Sequence, residues 1–308
     1  MIKRLLLWLG PAAAAAALAP LVRAEGGDTW MFVNTGRTLL SADWSHAFAD
    51  TSTQVGPLQL ALYGSVGRSP GVLAALLGAA AALLVMAAAR AAGVERPRLL
   101  LLAGVAAVAT GFTTHVFDAG HPADGLLPLL WIVAAAEARR GRTLRAALVV
   151  GLSAGVETWG ILGLAVLALA PGSRGAARSA LLACSVAGLL YLPFVAAGHF
   201  AMGGYRWEIA SQSLLGQVFA PGTSFGWPLR LAQGALAVAA GVIVARVARG
   251  SAHVLWLVPM SVVLARLALD PRDHGYYFDA VQATALVALA LVAARGLRLP
   301  RLAREPLA

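Results

Sequence analysis

Apolar runs long enough to cross a lipid bilayer recur along the whole chain, and short arginine clusters separate them. A spanning helix needs about 20 mainly apolar residues, and fewer at the margins. Only 12% of the residues are charged, whereas soluble domains carry about 25%, so lipid must solvate much of the surface. The sequence therefore predicts an all-α, polytopic membrane protein with about eight spanning helices in one integral membrane domain, residues 1–308. The candidate spans are 5–22, 71–89, 99–116, 125–136, 179–197, 229–245, 254–269 and 277–294.

One further apolar run, 146–170, is interrupted by Glu157, Thr158, Trp159 and Gly160. Arginines flank both of its ends, at 142 and 145 and again at 174 and 178. Because Lys and Arg accumulate on the cytoplasmic side, a run with two basic flanks favours a re-entrant hairpin that turns near Glu157. The alternative is a single crossing, which would move the later basic clusters to the outside.

The hairpin gives a consistent orientation, with both termini in the cytoplasm and most of the 24 basic residues on that side. Acidic residues and histidines gather on the opposite, extracytoplasmic face. The histidines on that face are His46, His115, His121, His199 and His274. Two long outer segments, 23–70 and 198–228, mix aromatic and polar residues, which favours short helices at the membrane interface. Polar chemistry is therefore expected on the outer face.

Several function classes are excluded. The formal net charge of +10 does not indicate nucleic-acid binding, since the arginines lie between apolar runs and form no single basic face. The single cysteine, Cys184, rules out an intrachain disulfide and a cysteine-based zinc site. A phosphate-binding loop and a nucleotide-binding fingerprint are absent from the sequence.

The first span has an alternative reading as a secretory signal peptide ending near residues 22–24.

Candidate site residues lie on the outer face. Asp28 and Asp50 in the first outer segment are either solvated loop carboxylates or parts of a site. Between 115 and 124 the chain places two histidines and two aspartates, including Asp118 and His121. These side chains could ligate a divalent cation, form a polar wall or simply be solvated, and no pair has the spacing of a strong metal motif.

Glu157 stands out because an ionisable residue inside an apolar run is costly and is by default a functional candidate. Alternatively, it caps the two half-helices by accepting backbone N–H bonds. Arg206 and Arg272 are the outer arginines best placed to bind a phosphate, although each could instead be a snorkelling or salt-bridged residue, Arg206 with Glu208. His274 lies in a tight turn that either closes a site or is only a turn.

The first outer segment also carries a family resemblance. The stretches DTWMFVNTGRTLLSADW and GPLQLALYG, followed by the run from GHPADG to ILGLAVLAL, resemble polytopic lipid-linked glycosyltransferases of the GT-C class. They are similar to its polyprenyl-phosphate-mannose-dependent bacterial branch over about residues 28–193. The residues that fall on the family features are Asp28, Gly36, Leu39, Leu40, Pro57 and Leu58. The chain departs from the family in carrying His121 where members usually have Gln, and Glu157 near a usual Lys.

The resemblance implies a GT-C fold and an inverting sugar transfer, with Asp28 as the general base. The donor would be a polyprenyl-phosphate sugar, expected to be a mannose, and the acceptor a lipid or glycan outside the bacterial inner membrane. Asp118 and His121 would line the acceptor side, and Arg206 or Arg272 would neutralise the leaving phosphate. No cofactor and no bound metal are required, although a divalent cation is compatible. Two other classes stay open: a small-solute transporter that uses Glu157, and a non-catalytic membrane scaffold.

Overall fold

A computed structural model describes residues 2–21, 27–118, 120–220 and 222–295 of the chain. The proposed signal cleavage region at 22–24 and the basic C-terminal tail lie outside the described residues. Within them the chain is mainly helical, with almost no strand, as predicted. The helices before the central hairpin are α1 (Ile2–Leu18), α2 (Thr29–Leu39), α3 (Pro57–Val66), α4 (Pro70–Ala92), α5 (Pro97–Ala109), α6 (Phe112–Asp118) and α7 (Pro122–Arg139).

The second half continues with helices and two very short strands. Proline occupies the first turn of α3, α4, α5, α7 and, later, α10, where its missing N–H has no helical partner to lose. Apart from short 3₁₀ turns, the remaining elements are α8 (Thr143–Val156), a 3₁₀ segment (Thr158–Leu169), α9 (Ser173–Ala196), β1 (Trp207–Glu208), β2 (Ser224–Phe225), α10 (Trp227–Val247), α11 (Val254–Ala268) and α12 (Asp279–Arg295).

Four segments of the described chain are long and apolar enough to cross a membrane: Pro70–Ala92, Ser173–Ala196, Trp227–Val247 and Gly275–Arg295. Shorter apolar helices accompany them, among them Pro97–Ala109 and Val254–Ala268. The helical membrane character is therefore supported, while the larger number of crossings stays a prediction. Leucines on α9 and α10 are strongly exposed, including Leu181, Leu189 and Leu231, as expected for surfaces in contact with lipid.

The apolar run around Glu157 folds back on itself. The 3₁₀ segment Thr158–Leu169, which we call the return segment, brings the chain back to where α8 begins. Gly141, just before α8, and Pro171, just after the return segment, are in contact, since a Cβ at Gly141 would lie 3.7 Å from Pro171. At the other end, Gly160 packs directly on the Ser153 carbonyl. A 14-residue α-helix spans about 21 Å, and 12 residues at the 3₁₀ rise span about 24 Å, so the two arms match in length.

The chain segments that carry the arginine clusters gather at one end of the helix bundle. Arg139 donates to the Ser251 carbonyl, Arg140 to Ala91, Arg249 to Ala170 and Arg295 to Gly93. Three of these arginines bond carbonyls at the C-terminal ends of α4 and the return segment, where a cation is electrostatically favoured, and Arg139 bonds the connection between α10 and α11. This gathering agrees with the basic flanks having been assigned to a single side.

Two sequence-based expectations are wrong in detail. The candidate span 99–116 is divided into α5 and α6, because Gly111 adopts a left-handed φ of 77° that a helix cannot continue through. Up to the start of α10 at Trp227, the described residues of the second outer segment form, as helical elements, only two three-residue 3₁₀ turns, Met202–Gly204 and Leu215–Gln217, in place of longer interfacial helices. Its Gly- and Ser-rich chain forms turns and a two-residue antiparallel pair, in which Trp207 faces Phe225.

The first outer segment holds two short helices, α2 and α3, as the aromatic and polar mixture suggested. They approach so closely at Gly36 and Gly64 that a Cβ on either would collide with the other's backbone. The start of α3 is fixed on the hairpin, since the Gly56 N–H donates to the Val156 carbonyl at 2.8 Å and Val55 forms a β-bridge with Glu157. The segment carrying Asp28 is thus tied to the hairpin turn.

Candidate functional site

A cavity of about 570 Å³ opens where the first outer segment, the hairpin turn and the second outer segment meet. Its size lies within the range of about 300–1,000 Å³ that is usual for small-molecule sites. One end is polar and the other apolar. The charged and imidazole side chains of the polar end are Asp28, His121, Asp124, Glu157, Arg230, Arg266, Arg272 and His274.

Asp28 and His121 form the contact at the mouth of the cavity. Nε2 of His121 lies 3.1 Å from Oδ2 of Asp28, and the side chain of Asp28 is 54% exposed whereas that of His121 is 13% exposed. Asp28 is the residue immediately before α2, and His121 immediately before α7, so both helices begin at this contact. This contact uses only one of the two carboxylate oxygens of Asp28, which lines the cavity.

Aromatic rings fix the orientation of the imidazole. Tyr276 stacks on His121 with ring centroids 5.0 Å apart, and His274 stacks on the far face of Tyr276 at 5.2 Å. Phe32 of α2 meets the His121 ring edge-on at 5.2 Å. The ring of His121 is therefore held in one plane with its two nitrogens directed at carboxylates.

The pair is an ion pair near neutral pH. The hydrogen bond from His121 holds the pKa of Asp28 below its usual range, with burial acting in the opposite direction. For His121, burial alone would lower the pKa, but the hydrogen bond to Asp28 and the nearby carboxylate of Glu157 outweigh it and raise the pKa to about 10. Burial and the neighbouring Arg272 lower the pKa of His274.

Glu157 sits on the opposite side of the imidazole. Its backbone is extended between α8 and the return segment, and Oε1 lies 3.9 Å from Nδ1 of His121. The capping interpretation is wrong, because the Glu157 side chain makes no capping hydrogen bond. Its second oxygen, Oε2, is buried without a hydrogen-bond partner among the described residues.

Two buried ion pairs in the cavity wall were not predicted. Arg266 of α11 lies 3.1 Å from Asp124 of α7, and Arg230 of α10 lies 2.8 Å from Asp270. Gln233 donates to Asp270 and to the Arg266 carbonyl, and so connects the two pairs. The position of Arg266 inside an apolar run could have marked it as a candidate. Its pairing with Asp124 could not be read from the sequence, because the two residues are 142 positions apart.

Both arginines also lie over aromatic rings. The guanidinium of Arg266 is 4.2 Å from the ring centre of Trp159 and 4.8 Å from that of Tyr277. The guanidinium of Arg230 lies 4.4 Å from the centre of Trp207. Such contacts are worth about 2 kcal/mol when desolvated, so the two cations are held firmly even though each is already matched by an acid.

The other predicted site residues are distributed unevenly. Arg272 lines the cavity and lies 3.7 Å from Glu208, the acid that was offered as a partner for Arg206. Arg206 is exposed and packs against Gly226, outside the cavity lining. Asp50 is exposed and accepts hydrogen bonds from the N–H and hydroxyl of Ser52, which hold the pKa of its carboxyl below the usual range. The side chain of Asp118, at the end of α6, lies outside the described residues.

The apolar end of the cavity is formed by the hairpin and α10. The return segment contributes Ile161, Leu162 and Leu164, and α10 contributes Leu231 and Val238. The wall continues down from Trp159 beside the polar cluster, so charged groups and a hydrocarbon-compatible surface share one space. The cavity therefore has a charged end and an apolar end, as a site for an amphiphilic molecule would need.

No family model matches the chain, and no curated protein or solved structure matches it.

Proposed function

We propose that this protein is a membrane glycosyltransferase of the GT-C type, which uses a polyprenyl-phosphate sugar as donor and a lipid or glycan as acceptor. The observation that carries the proposal is that Asp28 faces the same cavity as several arginines and an apolar wall. A lipid-linked sugar phosphate needs all three: a base, cations near its phosphate, and a surface for its chain. The resemblance of residues 28–193 to the mannose-dependent branch favours mannose as the sugar.

The proposed topology has about eight crossings and one re-entrant hairpin, with both termini in the cytoplasm of a bacterial inner membrane. The hairpin arms, at about 21 and 24 Å, are shorter than the hydrocarbon core of about 30 Å. The arginine-capped carbonyls at one end of the bundle support a cytoplasmic face there, and the cavity opens at the opposite end. The site would then act outside the cytoplasm.

In the proposed reaction, the free carboxylate oxygen of Asp28 accepts the proton of an acceptor hydroxyl. The acceptor oxygen attacks the anomeric carbon, the bond from that carbon to the phosphate oxygen breaks, and the polyprenyl phosphate leaves. The configuration at the anomeric carbon inverts, since one displacement occurs. Asp28 is ionised at neutral pH and can accept the proton, and the contact with His121 orients its carboxylate.

Arg272 is the cation best suited to the leaving phosphate. Its guanidinium is partly exposed, at 38%, and its acid partner Glu208 is exposed as well. Arg230 and Arg266 are already paired with the buried acids Asp270 and Asp124. They would contribute to the electrostatic potential of the site but would neutralise little of the charge that develops on the leaving phosphate. The donor chain would lie along the return segment and α10.

The proposal is tested with the purified protein in liposomes, mannosyl polyprenyl phosphate radiolabelled in the sugar, and a lipid extract of bacterial membranes as acceptor. We expect label to pass to a new lipid or glycan product and polyprenyl phosphate to accumulate in equal amount. Absence of both products, with protein that unfolds cooperatively, would contradict the proposal. Arg272→Gln should retain product formation at a rate lowered by about 10²-fold or more.

A further inference from the structure

Three side chains at the polar end of the cavity converge on one point. His121, Asp124 and Glu157 each offer one ligand atom, and these atoms lie within 4.8 Å of one another. His121 and Asp124 are brought together by the start of α7, at the position before the helix and in its first turn. Glu157 comes from the break between α8 and the return segment.

Glu157 gives an independent indication that something is bound there. The residue is only 8% exposed, and its Oε2 atom is buried without a hydrogen-bond partner among the described residues. An unsatisfied buried carboxylate oxygen carries a desolvation penalty, which a group bound at this point would relieve. The unpaired oxygen belongs to one of the three converging side chains.

The histidine is presented as metal ligands usually are. Asp28 accepts from Nε2 of His121 and so fixes which nitrogen carries the proton. Nδ1 lies 3.9 Å from Oε1 of Glu157, and its lone pair becomes available to a cation once its proton is released. Metal-binding histidines commonly donate their other nitrogen to a carboxylate in this way, which sets ring orientation and strengthens the ligand.

The charges around the point favour a cation. Asp124 and Asp270 are each matched by a buried arginine. Asp28 and Glu157 remain on either side of His121, so a protonated imidazole leaves one net negative charge and a neutral imidazole leaves two. A divalent ion beside a neutral His121 would balance the site.

We propose that His121, Asp124 and Glu157 bind one divalent cation that accepts mixed nitrogen and oxygen ligands, such as Mn²⁺ or Zn²⁺. The ligands are Nδ1 of His121, Oδ2 of Asp124, since Oδ1 is bonded to Arg266, and a carboxylate oxygen of Glu157. Binding displaces the proton from Nδ1 to solvent. Three protein ligands leave at least one position open, and all three ligand residues line the cavity.

The open position would take an oxygen of the donor phosphate, and this role rests on the proposed function. There the cation would polarise the phosphate and draw charge from the breaking bond. Cation binding itself requires no donor, so the site and the transfer reaction can be tested apart.

The site is tested by stripping the full-length protein with EDTA and titrating it with Mn²⁺ or Zn²⁺ alone. We expect one equivalent to bind, with a rise in the melting temperature. Glu157→Gln should weaken binding by at least about tenfold, while the same change at the exposed Glu95, at the arginine-rich end, should leave it unaltered. Equal binding by wild type and Glu157→Gln would overturn the site, as would no binding at millimolar cation by folded protein.

A second measurement does not depend on any variant. X-ray absorption of the Zn²⁺-loaded wild type should report one imidazole nitrogen and otherwise oxygen ligands, and a shell without imidazole would overturn the assignment. Cation binding without sugar transfer would contradict the proposed function and leave the site intact. Transfer by cation-free protein would leave the function intact and remove the cation from the reaction.

Discussion

Nε2 of His121 lies 3.1 Å from Oδ2 of Asp28, although the two residues are 93 positions apart in the chain. The contact joins the start of α2 to the start of α7. It leaves the second carboxylate oxygen free at the mouth of a cavity whose far wall is apolar. The proposed base, Asp28, is therefore oriented by a histidine from a distant part of the chain.

Replacing His121 with Ala should slow sugar transfer by about 10²-fold without unfolding the protein, because the Asp28 carboxylate loses the group that orients it and a base displaced by about 1 Å loses that much rate. The measurement is the single-turnover transfer rate in liposomes. His46→Ala is the matched control, since His46 is an outer histidine that stacks on His199 and does not line the cavity. Equal rates for both variants would remove His121 from the mechanism.

Arg266→Met should lower the free energy of unfolding by about 3–5 kcal/mol, because it leaves the carboxylate of Asp124 buried without its partner. The double change Arg266→Met with Asp124→Leu should recover much of that loss, since both charges are then gone. Denaturant unfolding in detergent with EDTA present measures both. A single variant as stable as wild type would show that the pair is not buried as described.

Gly36→Ala should destabilise the outer segment by about 1–3 kcal/mol, because a Cβ there meets the backbone of Leu60 and Gly64 and forces α2 away from α3. Gly188→Ala is the control, as a Cβ at that helical position meets nothing within 4 Å. The difference is read from the melting temperatures in one detergent. Equal melting temperatures would contradict the close approach of the two helices.

Cysteine labelling tests the hairpin and the orientation together. In a Cys184→Ala background, Ser65→Cys should react with a membrane-impermeant maleimide in intact cells. Ser173→Cys, beyond the return segment, should react only after permeabilisation, because the hairpin brings the chain back to the cytoplasmic side. If the run crossed the membrane once, Ser173→Cys would react in intact cells.

The helices and their breaks could be predicted from the sequence to a large extent. Apolar runs indicated the helices, and the position of Glu157 with its basic flanks indicated the place of the hairpin turn. The division of α5 from α6 at Gly111 was missed, since a glycine in an apolar run is compatible with a continuous helix.

The site was predicted as a set of residues and not as a set of contacts. Asp28, His121, Glu157, Arg272 and His274 were singled out and all line one cavity. Their pairings depend on the packing of distant helices, which local spacing does not encode. The matching of Arg266 with Asp124 and the placement of Arg206 outside the cavity lining follow from that packing alone.

The central claim is that Asp28 is the base of a sugar transfer, and the most direct measurement compares Asp28→Asn with Asp43→Asn in the liposome transfer assay. Asp43 is an exposed acid of the same outer segment and does not line the cavity. We expect Asp28→Asn to lower the transfer rate by about 10²–10⁴-fold while melting as wild type, and Asp43→Asn to keep the wild-type rate. An undiminished rate in Asp28→Asn would contradict the account.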